Sequence, residues 1–414
     1  MRPRTRPDRS FPIVRIGFIS TYPPRRCGIA SFTSDLLGAT RGHEVVALEG
    51  TGPGHDYPAE VHHRIRKDVR ADYRGVARRL GACVDVASIQ HEYGIWGGDD
   101  GEAVLDFVDA LDIPAVSTFH TVLRRPTSRQ RRILADLSRA SAATVVMSRA
   151  AAALLTHEYG VDPSRIDVIG HGVPDLPLVP SHTIKPSLGL AGRKVILSFG
   201  LLGPGKGYEL ALEALPAVVA EHPDVLYVIL GATHPELVRH EGERYRASLA
   251  KRARELGVDG HVRFVDRFVE PDELFRWLGS ADIFVTPYPN LDQIVSGTLS
   301  YAMSAGRAIV STPYVYAAEL LADGRGVLVA PNAPRELARA FASLLGDDIE
   351  RAALGRRAYE HSRHMVWPQA GLAYGRVFAR AAGRLVPRAG TAAARAGATP
   401  AAKHAFAIPV GARG

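Results

Sequence analysis

The sequence contains little cysteine and no long apolar run. Only two cysteines, Cys27 and Cys83, occur in 414 residues, which excludes a disulfide framework and favours a reducing compartment. No apolar run reaches the ~18 residues that a membrane-spanning helix requires. The apolar stretch 11–20 is interrupted by Arg15 and lacks a clean cleavage site, so it predicts a first strand and not a signal peptide. We therefore expect a cytoplasmic globular protein.

The central part of the chain also lacks net charge. The protein carries +8, but four arginines against one aspartate lie in residues 1–10, and five basic residues without an acid lie in residues 384–414. Residues 11–383 are thus formally neutral. A nucleic-acid partner is not expected, because such proteins carry their basic excess on a folded face. The low-complexity composition of the two ends predicts solvated, disordered segments.

Short apolar runs alternate with helix-like segments over the remaining chain. This alternation predicts an α/β fold of parallel sheets covered on both faces. The proline-rich stretch 174–190 predicts a boundary, which gives an N-terminal Rossmann-like domain over 11–180 and a C-terminal one over 181–366. We expect strands at 13–19, 45–48, 84–90, 114–119, 143–147, 194–199, 226–230, 262–268, 283–287, 308–311 and 326–329. The main helices are expected at 29–39, 208–221, 236–256, 334–345 and 367–382.

A glycine-rich segment follows the first strand of the second half and precedes a helix. It contains Gly200, Gly203, Gly205, Lys206 and Gly207. Glycines let the backbone approach a ligand, and a helix N-terminus offers free N–H groups to an anion. The spacing matches neither the P-loop nor the dinucleotide pattern. The segment is either a phosphate loop or a glycine-rich turn with a solvated lysine.

Two further features fall at predicted strand ends of the first half. Gly28 lies in the loop between the first strand and the first helix, where ligands of open α/β sheets bind. Three histidines, His91, His120 and His171, also follow strands. A lone histidine is usually structural, but three at one sheet edge favour a site. Their spacing is not that of a helix-borne zinc site, and we predict no metal.

The segment 282–313 contains a polar helix start. Ser296, Gly297 and Thr298 form it, and it is either an ordinary N-cap or a second anion or hydroxyl site.

Taken together, these segments resemble the retaining, nucleotide-sugar-dependent glycosyltransferases of group 1 (family 4), over about residues 13–383. The resemblance implies the GT-B fold, in which two Rossmann-like domains face a cleft and a C-terminal helix, here 367–383 beginning at Trp367, crosses back to the first domain. It is carried by the Gly28 loop, Gly42-His43-Glu44-Val45, Thr118-Phe119-His120, His171-Gly172-Val173, Gly200, Lys206-Gly207 and Glu319 with 326–329.

The sequence departs from the family pattern at four positions. Leu201 replaces the arginine that usually follows the phosphate-loop glycine, and His171 replaces an asparagine. Gln293 and Tyr301 occupy the two positions that hold a pair of glutamates in the family. In the family, the first glutamate contacts the donor sugar and the second the ribose. The Ser-Gly-Thr run at 296–298 resembles that of a subgroup lacking these glutamates.

The resemblance implies transfer of a hexose from a nucleotide diphosphate sugar, GDP-mannose or a UDP-hexose, to a carbohydrate or lipid-linked acceptor, with retention of configuration and no metal. His120 and Lys206 are then the candidate catalytic residues. Donor binding falls to Gly28, Gly200, Gly203, Gly205, Gly207, Gln293, Ser296, Gly297, Thr298, Tyr301 and Glu319. Candidates on the acceptor side are His91, Glu92 and His171.

Two alternatives remain open at this point. One is a sugar phosphorylase or epimerase on the same fold. The other is a non-catalytic nucleotide-sugar-binding scaffold, which loss of the glutamates would explain. A basic segment over 124–132 predicts either a solvated helix face or weak peripheral contact with an anionic membrane surface at the inner face of the plasma membrane.

Overall fold

The computed structural model describes residues 14–40, 44–50 and 54–384. The segments predicted to be disordered lie outside this range, except for Arg384, whose guanidinium group lies 3.0 Å from the Asp85 carboxylate. The predicted motif residues Gly42 and His43 also lie outside it. Over the described residues, no helix combines the length and the apolar character that crossing a bilayer requires.

The N-terminal half forms one parallel sheet of seven strands in the order β3-β2-β1-β4-β5-β6-β7. Because helices cover both faces, successive residues such as Phe18 and Ile19 are both fully buried, on opposite sides of the sheet. The strands are β1 Ile16–Ser20, β2 Glu44–Glu49, β3 Val61–Arg66, β4 Val86–His91, β5 Ala115–Phe119, β6 Ala143–Val146 and β7 Ile166–Val168. The helices are α1 Gly28–Thr40, α2 Arg70–Gly81, α3 Ala103–Val108, α4 Ser128–Ala140 and α5 Arg149–Tyr159.

The C-terminal half forms a second parallel sheet, of six strands in the order β10-β9-β8-β11-β12-β13. This is the strand order typical of a Rossmann fold. The strands are β8 Lys194–Phe199, β9 Val225–Leu230, β10 Val262–Val265, β11 Ile283–Thr286, β12 Ala308–Ser311 and β13 Val327–Leu328. The helices are α6 Ser181–Ile184, α7 Tyr208–Glu221, α8 Pro235–Glu241, α9 Arg244–Glu255, α10 Pro271–Ser280, α11 Gly297–Ser304, α12 Val315–Leu320, α13 Pro334–Gly346, α14 Asp348–Ser362 and α15 Trp367–Ala381.

Several elements differ from the sequence-based expectation. The single helix predicted over 236–256 is two helices, α8 and α9, because Gly242 between them adopts φ +62°. The edge strand β3 escapes prediction because its residues alternate between exposed and more buried positions and form no apolar run. Strand β7 and helix α14 were not predicted either, and the helices between the strands of the N-terminal half were expected without bounds.

Two chain segments join the halves, and they pair with each other. Val173 and Val366 form a parallel β-bridge, in which the Val173 amide donates to Met365 and the Trp367 amide donates to Val173. A Cβ atom on Gly172 would lie 2.2 Å from the Trp367 ring, so only glycine allows this packing. After the bridge, α15 packs against α1. Its Phe378 ring also lies edge-on to the ring of Phe18 on β1, with ring centres 6.1 Å apart.

Candidate active site

The carboxyl ends of the central strands carry the motif loops of both sheets. In each sheet the strand order reverses between two neighbours, β1 and β4 in the first and β8 and β11 in the second. Ligands of open α/β sheets bind at such positions. The Gly28 loop follows β1 and His91 ends β4, whereas the Gly200 loop follows β8 and the segment 287–296 follows β11.

The Gly28 loop is open at its helix start. No atom lies within 4 Å of a Cβ placed on Gly28, and Gly28 is the first residue of α1. The Cys27 sulfur accepts from the Ala30 amide at 3.4 Å and so caps the helix. The Arg26 guanidinium lies 5.6 Å from the centre of the Phe268 ring, which links this loop to the C-terminal half.

The Gly200–Gly207 loop depends on glycine at its two ends. Gly207 has φ +71°, and a Cβ there would lie 2.0 Å from the Pro287 carbonyl oxygen. Gly200 has φ +130° and lies against the Thr298 methyl group, with a Cβ-to-methyl distance of 3.5 Å. The start of α11 therefore adjoins this loop. Gly203 lies beside Leu237, and Gly205 faces open space.

Lys206 holds the only charge on that loop. Its ammonium group lies 4.5 Å from the centre of the Tyr288 ring, a cation–π contact. Tyr288 in turn stacks on Tyr314, with centroids 5.1 Å apart. Within the described residues, no carboxylate lies within ion-pair distance of Lys206. Its charge is therefore available to a ligand.

The N-terminus of α11 presents two unused amides. Ser296 caps the helix, and its hydroxyl accepts from the Leu299 amide at 3.3 Å. The Thr298 hydroxyl lies 3.1 Å from that of Ser296 and 3.3 Å from that of Tyr288. In the described part of the chain, the amides of Gly297 and Thr298 have no acceptor. Free amides at a helix start favour an anion.

Phe32 connects three aromatic residues where the halves meet. Its ring makes edge contacts with three rings, and the distances between ring centres are 4.9 Å for His120, 5.2 Å for His171 and 5.2 Å for Trp367. The His120 Nε2 atom donates to the Gln90 side-chain oxygen at 2.9 Å, so its Nδ1 atom carries the lone pair. Burial, followed by the neighbouring His171 and His91, lowers the pKa of His120 to about 3. His120 is thus a neutral hydrogen-bonding group at the cleft.

His91 and Glu92 differ in their surroundings. His91 is fully buried between Tyr93 and Phe119, and neither ring nitrogen has a hydrogen-bond partner. Burial lowers its pKa to about 3. Glu92 accepts from the Gly94 amide at 2.8 Å, and burial raises its pKa.

Gln293 and Tyr301 lie on the C-terminal side of the cleft. The Gln293 amide nitrogen donates to the Val295 carbonyl at 2.9 Å, which leaves its side-chain oxygen for another partner. The Tyr301 hydroxyl donates to Asp35 of α1 at 3.3 Å. Its ring lies 6.3 Å from that of Phe199 and 6.2 Å from that of His171. Tyr301 therefore lies in the wall between the two halves.

Glu319 also lies between the halves. One carboxylate oxygen accepts from the Arg149 amide at 2.9 Å and the other from the Ala150 amide at 3.0 Å. These amides begin α5, so Glu319 of the C-terminal half caps a helix of the N-terminal half. Both oxygens are occupied in this arrangement.

Sequence reasoning missed Asp35. Burial raises the pKa of its carboxyl group, which accepts from Tyr301 and lies beside Trp367. One signal was available, since an aspartate in the middle of an otherwise apolar α1 face is unusual without a partner. Its partner lies 266 residues away in the chain.

The arginines of the basic segment 124–132 are paired with four acids, one of which is shared by two of them. Each of its five arginines has a carboxylate within 4 Å, and the partners come from several elements. The pairs are Arg124–Asp292, Arg125–Asp292, Arg129–Asp99, Arg131–Glu158 and Arg132–Glu102. This pairing favours the solvated-face interpretation over a membrane-binding surface. Among the described residues, no group of three or more His, Cys, Asp and Glu side chains could hold a metal ion.

The two facing Rossmann-like sheets, with phosphate-type loops on one side and a histidine-bearing edge on the other, define a protein of the GT-B fold. The solved structure of the Anabaena protein HepE in complex with UDP and glucose is similar, with a TM-score of 0.72 over 89% of this chain and 100% of that chain at 15% identity. A sucrose-phosphate synthase from Thermosynechococcus elongatus gives a TM-score of 0.67 over 89% of this chain and 99% of that one, at 14% identity. At these identities the likeness shows the fold.

Two family models match the two halves. "Glycosyl transferases group 1" matches residues 181–361, and "Glycosyltransferase Family 4" matches residues 35–175. Both halves of the chain are thus similar to domains of the group 1 and family 4 glycosyltransferases.

Curated relatives agree with this assignment. The D-inositol 3-phosphate glycosyltransferase of Corynebacterium efficiens is 29% identical over 63% of this chain and 64% of its own length. The phosphatidyl-myo-inositol mannosyltransferase of Mycolicibacterium smegmatis is 27% identical over 63% of each chain. The chain spans between about half and just under two thirds of the length of the curated relatives it matches.

Proposed function

We propose that the protein transfers a hexose from a nucleotide diphosphate sugar to a hydroxyl group of a carbohydrate or lipid-linked acceptor, with retention of configuration. One observation carries the proposal. The free amides of Gly297 and Thr298 adjoin the Gly200 loop and the unpaired Lys206, and His120 lies across the cleft from them. This arrangement suits a diphosphate on one side and sugar hydroxyls on the other.

The comparisons support the same chemistry. The similar HepE structure contains UDP and glucose, and another of the same protein contains UDP-glucose. Curated relatives act on inositol phosphate or phosphatidylinositol acceptors, according to their names. A UDP-hexose and GDP-mannose are therefore the donors to test first.

The carboxylates around the cleft support a mechanism without a protein nucleophile. Asp35 accepts from Tyr301, Glu92 accepts from Gly94, and both oxygens of Glu319 accept from backbone amides. Catalysis would then depend on positioning and on stabilising the departing diphosphate. Lys206 neutralises charge that grows as the glycosidic bond breaks, which is preferential binding of the transition state.

The proposal is tested by thermal shift and turnover with UDP, GDP and ADP, each with and without an attached hexose. Binding of one nucleotide sugar, followed by acceptor-dependent release of its nucleoside diphosphate, is the expected result. Proton NMR of the product should show the donor's anomeric configuration. Activity should survive EDTA, because Lys206 and the α11 amides supply the positive potential. Inversion of configuration, or release of phosphate without an acceptor, would contradict the proposal.

One observation favours a second candidate, a nucleotide-sugar-binding protein without turnover. The Tyr301 hydroxyl bonds to Asp35, so the position that holds a ribose-binding glutamate in the family contributes to the wall between the halves. The same assay separates the two candidates, because the second predicts binding with no product from any acceptor offered.

A further inference from the structure

The His171 ring packs against the start of α11, and its two ring nitrogens have different surroundings. The Nδ1 atom lies 2.8 Å from the Gly172 carbonyl oxygen, so Nδ1 carries the hydrogen in the neutral ring, because a carbonyl only accepts. The Nε2 atom points toward α11, and a Cβ placed on Gly297 would lie only 2.9 Å from it. The neutral ring therefore presents a lone pair to the helix start.

The same helix start carries the two unused amides of Gly297 and Thr298. An anion bound to those amides would meet the Nε2 lone pair, and two acceptors in contact repel. A proton on Nε2 removes the repulsion and adds a charge-assisted donor. The Gly172 carbonyl stays bonded to Nδ1–H in either state.

Few charged groups oppose or favour that proton in the ligand-free protein. The titratable groups around His171 are His120 at the end of β5, Tyr301 of α11, Tyr316 of α12 and, behind Tyr301, Asp35 of α1. Of these, only the Asp35 carboxyl group can carry a charge near neutral pH, and it is bonded to Tyr301. Burial lowers the pKa of His171 to about 4, so the ring is neutral before a ligand arrives.

We infer that His171 binds the donor diphosphate directly and takes up one proton from solvent when it does so. The inference rests on the proposed function, since it concerns the same anion site. It also gives a reason for histidine at the position where the family has asparagine, because asparagine cannot gain a charge. The protonated ring would remain beside the diphosphate as negative charge grows on the leaving group.

The test is calorimetric titration with UDP-glucose and GDP-mannose, whose diphosphates have no group that titrates near neutral pH. Measurements at pH 7.5 in buffers of different ionisation enthalpy give the number of protons taken up. We expect close to one proton per bound ligand, and therefore a Kd that rises about tenfold per pH unit wherever the free ring is neutral and the bound ring is protonated. The Kd should become independent of pH once the complex has lost that proton.

Two variants and a control complete the experiment. His171→Gln places a neutral donor near the position that Nε2 occupies in the unsubstituted protein, and His171→Asn introduces the family residue. Both should bind with no proton uptake and little pH dependence. The exposed His157 on α5 provides the matched control, and His157→Gln should behave as the unchanged protein.

The outcomes separate this inference from the proposed function. Binding with no proton uptake, or with equal uptake in His171→Gln, overturns the role of His171 and leaves the diphosphate site intact. Absence of binding to both nucleotide sugars removes the proposed function and this inference together. Histidine ¹⁵N NMR of the unsubstituted protein gives a second readout, since ligand should move one Nε2 resonance to its protonated position.

Discussion

The two sides of the cleft provide polar groups in different ways. The C-terminal side presents backbone amides and one ammonium group that, within the described residues, has no carboxylate partner. The N-terminal side presents the imidazole of His120, whose pKa is lowered by burial, so it is a neutral hydrogen-bonding group. The difference suits a charged diphosphate on one side and uncharged sugar hydroxyls on the other. His171 lies between them, on the N-terminal side but facing α11.

The largest expected effect comes from removing the fixed charge. Lys206→Ala should reduce kcat/KM by about 30- to 900-fold, equivalent to ~2–4 kcal/mol, by analogy with the loss of other electrostatic stabilisers. Its melting temperature should hardly change, because the side chain contributes no ion pair. Steady-state kinetics measure the effect. Lys251→Ala on α9, where the side chain is 73% exposed, is the matched control, and equal activity of the two variants would exclude the phosphate-loop role.

A second prediction concerns the shape of the loop that holds Lys206. Gly207→Ala should lower the free energy of unfolding by about 3 kcal/mol, because the added methyl collides with the Pro287 carbonyl at a positive φ. Gly205→Ala shares the positive φ but meets no atom within 4 Å, so it should cost only about 1 kcal/mol. Urea denaturation of both variants checks the difference, and similar values would contradict the close contact.

The N-terminal side should respond to acid. A histidine that is buried in its neutral form has a lower pKa in the folded protein than in the unfolded protein. It does not reduce the free energy of unfolding above the unfolded pKa, but it reduces that free energy progressively as the pH falls from the unfolded pKa toward the folded pKa. For His91, with a pKa of about 3, the free energy of unfolding at pH 5 is expected to be about 2 kcal/mol lower than at pH 7.5. His91→Leu should abolish that part of the acid sensitivity. Urea denaturation at pH 7.5 and pH 5 measures it, and an unchanged pH difference in the variant would show that His91 is not buried neutral.

The smallest effect is expected at Gln293. If its free side-chain oxygen contacts the donor sugar, Gln293→Ala should weaken nucleotide-sugar binding by roughly 1–2 kcal/mol and leave bare nucleoside diphosphate binding nearly unchanged. Calorimetry with both ligands makes the comparison. Equal effects on the two ligands, or none on either, would remove the sugar contact. Gln293→Glu combined with Tyr301→Glu should be less active, since added carboxylates repel the diphosphate.

The sequence predicted local features better than contacts across the cleft. Gly200 and Lys206 were singled out because the end of a strand, a loop and a helix start lie within a dozen residues of one another. Ser296 was singled out because it stands at the start of another predicted helix. The Tyr301–Asp35 bond and the Glu319 cap on α5 join residues 266 and about 170 positions apart. Such pairs depend on how the two halves pack, and no local pattern encodes that packing. For the same reason, the sequence placed His91 at the sheet edge but could not show that its ring is fully buried.

The bridge between Val173 and Val366 has a mechanical consequence. The two segments that join the halves are hydrogen-bonded side by side, so they form a short two-stranded ribbon. A ribbon bends across its flat face far more easily than it shears, because shear breaks the hydrogen bonds between its strands. Bending of this ribbon would be the easiest rotation of one half against the other that these segments allow, and the Trp367 ring seated on Gly172 lies where that bending would be concentrated.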